Sequence, residues 1–293
     1  MHKAGFVNIV GNPNVGKSTL MNAFVGERIS IATFKSQTTR HRIMGIVNTD
    51  DMQIVFSDTP GVVKPNYKLQ ESMLQFSTSA LQDADILLYV TDIVENPEKH
   101  MDFIEKVRNQ KAPILLLINK IDKSNQEELN DLVELWNKLL PTAEIIPVSA
   151  TKKFNVEYIL KRIKDILPEA SPYFEKDQLT DKPARFFVTE IFREKILLYY
   201  DKEIPYSVEV AVDEYKESKK NISIRVIIYV ERDSQKGIII GKQGKAIKKV
   251  ATEARKELEK FFDKSIFLET YVKVDKDWRS SERELKNFGY DLK

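Results

Sequence analysis

Short, continuously apolar runs separated by charged, loosely periodic stretches fill the first half of the chain. Residues 6–10, 54–56, 86–90, 114–118 and 145–148 read as strands. Their apolarity is unbroken rather than alternating, as a strand covered on both faces requires. Residues 18–25, 101–111, 127–140 and 157–167 carry enough spaced apolar positions to predict helices between and after those strands. The alternation predicts an α/β domain with a mostly parallel sheet. Pro168, Pro172 and Pro183 then punctuate a polar connection, where neither helix nor strand is favoured. The expected division is a first domain over 1–170, a linker over 171–182 and a second domain over 183–293.

In the second half the periods change. Residues 184–200, with Phe187, Ile191 and Leu198 among charges, predict an amphipathic helix. A strand is expected to begin over 206–210. Ile222, Ile224, Val226, Ile228 and Val230 recur at period two and predict another strand. A glycine-rich turn and a basic helix over 245–262 follow, then a strand with Ile266, Leu268, Val272 and Val274 on one face. The order helix, strand, strand, helix, glycine loop, helix, strand describes a small α+β domain.

Composition narrows the function classes. The 46 basic and 44 acidic residues leave a formal charge of only +2 in 293 residues, so any footprint for a polyanion has to be local. The absence of cysteine excludes disulfides and thiolate catalysis and fits a reducing compartment. His2, His41 and His100 have no metal-cluster spacing. No apolar run reaches the roughly 20 residues of a membrane span, so a cytoplasmic protein is expected, acting as a monomer.

Gly11-Asn12-Pro13-Asn14-Val15-Gly16-Lys17-Ser18 fits the G-x-x-x-x-G-K-S phosphate loop in its required strand, turn and helix context. An incidental turn would explain the glycines but not the adjacent lysine and hydroxyl. Lys17 is expected on the β/γ-phosphate oxygens, Ser18 on Mg²⁺ and Thr19 near the α-phosphate. Asp58-Thr59-Pro60-Gly61 ends a strand; its acid can hold Mg²⁺ through water and Gly61 can offer an N–H to the γ-phosphate. Asn119-Lys120-Ile121-Asp122 follows another strand, where α/β sheets bind ligands. Asp122 can accept two guanine N–H groups, a pattern adenine lacks. Asn119 can brace the phosphate loop and Lys120 can cover the ring. Ser149-Ala150-Thr151 can complete the pocket, with the Ala150 N–H toward the guanine oxygen.

Position 62, where small signalling GTPases carry a water-orienting glutamine, holds Val62 and is followed by Val63. Neither side chain can hydrogen-bond water, so slow intrinsic hydrolysis relying on electrostatic positioning is expected. In the second half, Gly241-Lys242-Gln243-Gly244 with Lys245, Lys248 and Lys249 is the pattern of a KH clamp. Its glycines admit a nucleic-acid backbone and its lysines meet the phosphates. Gly237, Ile238, Ile239 and Ile240 just upstream are candidate RNA contacts. Trp278, Phe186, Phe192 and Tyr271 have packing roles as alternatives to base stacking.

These four nucleotide motifs resemble those of the translation-factor-related P-loop GTPases, and Gln37-Thr38-Thr39-Arg40-His41-Arg42 resembles the first switch of the Era and TrmE-like members. The resemblance implies that Thr38 or Thr39 closes on the γ-phosphate and Mg²⁺. It also implies that Asn14 resembles the asparagine of potassium-activated members, with K⁺ offsetting charge between the β- and γ-phosphates; a turn-stabilising role for Asn14 is the alternative. Residues 230–242, 273–279 and 288–290 extend the similarity to the Era family over nearly the whole chain. That implies a type II KH domain, binding of 16S rRNA near its 3′ end, and a role in 30S ribosomal subunit assembly and maturation. It further implies peripheral association with the inner face of the cell membrane. Gln243 and Ala251 stand where many members have glycine.

Overall fold

The computed structural model describes residues 2–290, apart from the side chain of Lys99. The chain forms two units, one of residues up to Pro65 with Gln70–Asp181, the other of Asn66–Leu69 with residues from Lys182 on.

The first unit is built on a six-stranded sheet. Its elements are β1 (Lys3–Gly11), α1 (Lys17–Val25), β2 (Ile43–Asn48), β3 (Met52–Asp58), α2 (Lys68–Gln82), β4 (Ile86–Asp92), α3 (Met101–Arg108), β5 (Ile114–Asn119), α4 (Gln126–Leu139), β6 (Glu144–Pro147) and α5 (Val156–Ile166). The strand order is β2-β3-β1-β4-β5-β6, with only β2 antiparallel to its neighbour. Strands β3, β4 and β5 are buried at every position, because helices cover both faces. Leu81, Ile104, Val107 and Trp136 pack on Leu87, Tyr89 and Leu116 at one face, while α1 packs against α5, β1, β2 and β3.

The apolar runs missed β2, whose Ile43-Met44-Gly45-Ile46 is interrupted by glycine, and α2, whose apolar positions are diluted by polar ones. The end of the stretch expected as a linker, residues 178–181, is held on the β2 edge. The Ile46 N–H donates to Leu179 O at 2.8 Å, Thr180 Oγ1 to Met44 O at 2.6 Å, and the Met44 N–H to Asp181 Oδ1 at 2.9 Å. An edge strand's unpaired backbone groups are thereby satisfied.

The second unit comprises α6 (Ala184–Tyr199), β7 (Glu209–Glu217), β8 (Asn221–Val230), α7 (Asp233–Ile240), α8 (Lys245–Phe262), β9 (Ser265–Val274) and α9 (Glu282–Asn287). Its sheet runs β7-β8-β9, antiparallel then parallel. The core joins Val188, Phe192 and Ile196 of α6, the period-two residues of β8, and Val250, Ala254 and Leu258 of α8. Leu198, expected on the apolar face of α6, is 44% exposed, because the core-facing stripe at that end of the helix runs through Ile196 and Tyr200 instead. Phe192 and Trp278 are fully buried, and Trp278 Nε1 donates to Ser207 O at 3.2 Å; both pack rather than stack on a base. No helix among the described residues is long and apolar enough to cross a membrane.

Candidate functional site

The loop between β1 and α1 takes its shape from two glycines. Gly11 has φ +145°, and a Cβ there would lie 2.1 Å from the Val90 carbonyl oxygen. At Gly16, φ is +100° and a Cβ would lie 2.2 Å from Asn119 Nδ2. Only glycine meets both demands. The start of α1 has no side-chain cap, which leaves its first N–H groups for an anion. A cavity of about 250 Å³ opens beside it, lined by Pro13, Asn14, Lys17, Thr19, Thr39 and Gly61 among others. Lys17 Nζ donates to the carbonyls of Gly11 at 3.0 Å and Asn12 at 2.7 Å. Burial draws its pKa from 10.5 down to about 8, against the opposing charges of Asp58 and Glu95. An ammonium so desolvated gains strongly from a phosphate.

Three oxygens cluster at the far side of Lys17. Ser18 Oγ donates to Asp58 Oδ2 at 2.6 Å and lies 2.8 Å from Thr39 Oγ1, which is itself 3.4 Å from Asp58 Oδ2. Asp58 is fully buried and its Oδ1 has no partner among the described residues. Burial pushes its carboxyl up, with Ser18 and Lys17 opposing. An orphaned carboxylate oxygen beside two hydroxyls is a donor set that suits a hard divalent cation such as Mg²⁺. Thr38 is turned elsewhere: its hydroxyl donates to Lys35 O at 2.6 Å and meets Thr33 Oγ1 at 2.7 Å.

The segment after β3 closes tightly on the loop. A Cβ at Gly61 would lie 2.6 Å from Pro13 Cα, and the Val62 N–H donates to Gly11 O at 3.2 Å. Thr59 Oγ1 donates to Ile9 O at 2.7 Å and Pro60 O accepts from Ser77 at 2.8 Å. These two motif residues therefore brace the scaffold. Val15, 2% exposed, likewise points its side chain into the protein.

On the base side, Asn119 ties two loops together. Its Nδ2 donates to Val15 O at 2.8 Å and its Oδ1 accepts from the Ala150 N–H at 3.1 Å. The Ala150 N–H, expected toward a guanine oxygen, is thus engaged by Asn119 in this structure. Ser149 Oγ donates to Asp122 Oδ1 at 2.6 Å and lies 3.4 Å from Thr151 Oγ1. Lys120, at φ +65°, reaches Asn14 O and Asp92 Oδ2, both at 2.5 Å. Asp92 and Glu95 were not legible as site residues, since no motif marks them. Their one signal is position at or just past the carboxyl end of a parallel strand.

In the second unit, Gly241 (φ +71°), Gln243 (φ +55°) and Gly244 (φ +72°) form the turn between α7 and α8. A Cβ at Gly241 would lie 2.6 Å from Ala246 Cβ. Gly237, Lys242, Gln243, Lys245 and Lys248 are exposed, Ile240, Gly241 and Gly244 are half-buried, and Ile238 is 50% exposed. Ile239 departs from the expected contact set. It is fully buried and its carbonyl accepts from Tyr200 Oη at 2.6 Å, because α7 turns one of two successive isoleucines inward.

Comparison with known proteins meets these two sites in turn. Residues 6–120 match the family described as 50S ribosome-binding GTPase, and residues 203–279 match the KH domain family. The GTPase Era of Alkaliphilus metalliredigens is 44% identical over 293 residues, covering 99% of each chain. The chain belongs to the Era family of GTPases. Era from Staphylococcus haemolyticus is 41% identical, over 99% of this chain and 97% of that protein. An Era crystal structure in complex with MgGDPNP and nucleotides 1506–1542 of 16S ribosomal RNA has a TM-score of 0.95 at 37% identity, covering all of both chains. A variant of Aquifex aeolicus Era bound to GDP·AlF4⁻ gives 0.94 at 37%, over 99% of this chain and all of that one. This Era-family protein is thus a P-loop GTPase followed by a KH domain along its full described length.

Proposed function

We propose that this GTPase uses its nucleotide state to govern a KH grip on 16S rRNA near its 3′ end, and acts in 30S subunit assembly and maturation. One observation carries the reading: the Gly241–Gly244 turn, with exposed Lys242 within it and exposed Lys245 and Lys248 after it, shares a chain with a GTPase phosphate loop. Its full-length likeness to Era in complex with MgGDPNP and 16S nucleotides 1506–1542 supports the RNA named. Glycines at the turn let the RNA backbone approach, lysines meet its phosphates, and Ile238 offers an apolar contact.

In the nucleotide site, the N–H groups of residues 14–19 cradle the phosphates and Lys17 leaves its loop carbonyls for the β/γ oxygens. Ser18, Thr39 and Asp58 would hold Mg²⁺, which offsets charge on those oxygens. The cluster of these three side chains favours Thr39 over Thr38 as the threonine of the first switch. Gly61 N–H meets the γ-phosphate, and Asp122 with Ser149 selects guanine. Val62 leaves the attacking water without a side-chain partner, so hydrolysis is slow. Asn14 lines the cavity and is suited to hold K⁺ there. The reading includes a cytoplasmic site of action with peripheral membrane contact.

The test is RNA affinity in matched GDP and non-hydrolysable GTP states at fixed salt, using a 16S 3′-end fragment and a scrambled RNA. A marked GTP-dependent preference for the authentic fragment is expected. Equal affinity in both states would refute nucleotide control, and equal affinity for both RNAs would refute the ribosomal target.

A further inference from the structure

We infer that Glu95 is a positioning residue of the GTPase, which pins the phosphate loop from behind through Asn12 and so sets how long nucleotide stays bound.

The chain turns sharply after β4. The Val94 N–H donates to Asp92 Oδ1 at 3.1 Å and the Glu95 N–H to Asp92 O at 3.4 Å, which folds Glu95 back toward the loop. One carboxylate oxygen accepts from Thr91 Oγ1 at 2.6 Å. The other accepts from Asn12 Nδ2. Asn12 is 4% exposed and its own Oδ1 has no partner among the described residues, so Glu95 supplies the hydrogen bonding of that side chain. Asn12 does not line the nucleotide cavity. Its side chain points behind the loop, while its carbonyl accepts from Lys17 at 2.7 Å. Two residues on, Asn14 O is held by Lys120, itself paired with Asp92. The end of β4 therefore holds two alternate residues of the loop, Asn14 indirectly through Lys120 on Asp92 and Asn12 directly through Glu95.

The consequence falls on nucleotide affinity rather than on the chemical step. With the loop closed on phosphates, Asn12 has no freedom to seek water if Glu95 is removed, and its buried amide is left unsatisfied. Without nucleotide the loop can relax and hydrate. An unsatisfied buried donor carries a cost that is then confined to the bound state.

The experiment compares wild type with Glu95→Ala, Glu95→Gln, Asn12→Ala and the Asn12→Ala/Glu95→Ala pair. The readouts are dissociation of a fluorescent GDP, steady-state GTP hydrolysis and thermal unfolding without nucleotide. Glu95→Ala is expected to speed GDP release about tenfold and raise KM comparably. The change in kcat should be under threefold, since KM tracks binding when chemistry is slow. Glu95→Gln keeps an acceptor for Asn12 and should restore release to within threefold of wild type. Adding Glu95→Ala to Asn12→Ala should change release less than twofold. A Glu95→Ala variant with lower thermal stability but normal GDP release would reduce Glu95 to a structural residue and overturn the inference. So would a Glu95→Gln variant as fast as Glu95→Ala, or additive effects in the pair.

Discussion

At the residue scale, Gln243 and Lys17 each occupy a conformation or surroundings that cost stability. Gln243 sits at φ +55°, ψ +29°, a left-handed conformation that burdens any residue with a Cβ by roughly 1–2 kcal/mol. Glycine avoids that strain at some entropic cost in the unfolded chain. Gln243→Gly is therefore expected to stabilise the second unit by about 0.5–1 kcal/mol, as urea unfolding will measure. Lys17 is the other case: burial draws its pKa from the ordinary 10.5 down to about 8 in the folded chain. Between those values the unfolded chain keeps the proton and the folded one sheds it, so nucleotide-free stability gains as pH rises from 8 toward 10.5. The full gain is on the order of 3 kcal/mol. Lys17→Met should lack it, so the stability difference between variant and wild type should narrow across that window in denaturant titrations. Parallel pH profiles would contradict the burial argument.

At the scale of elements, helix α7 decides which isoleucines are free. Successive helical residues point about 100° apart, so Ile238 faces outward while Ile239 enters the core. Ile238→Asp should weaken binding of the 16S fragment about tenfold or more while moving the melting temperature little. Ile239→Ala should instead cost about 2–5 kcal/mol of stability, the range for emptying a filled core site. Circular dichroism melts beside RNA titrations separate the two outcomes. Strand β9 divides similarly: Ile266, Leu268, Val272 and Val274 join the core while Phe267 and Tyr271 stay exposed, as the period-two pattern required.

For the whole molecule, two units with separate cores predict two unfolding transitions. In calorimetry, excess GDP with Mg²⁺ should stabilise the unit that carries the phosphate loop by about 2.7 kcal/mol at a hundred times its Kd. Chelating the metal should reverse most of that shift. Much of this design was legible beforehand. Continuous apolar runs fixed the parallel strands because burial on both faces leaves no polar positions. Gly11, Gly16, Lys17 and Ser18 declared a phosphate site because that geometry tolerates few other residues. Period-two alternation in β8 gave the second sheet for the same kind of local reason. Tertiary structure alone decided the rest. It put Thr39, and not Thr38, beside Ser18 and Asp58, laid residues 179–181 along the β2 edge, and buried Ile239. It also brought Glu95 to Asn12 across 83 positions of sequence. Local pattern reports what a residue can satisfy by itself, through its backbone angles or its exposed face. Which distant group completes a buried hydrogen bond depends on how strands are ordered in the sheet, and that order is written in no single segment.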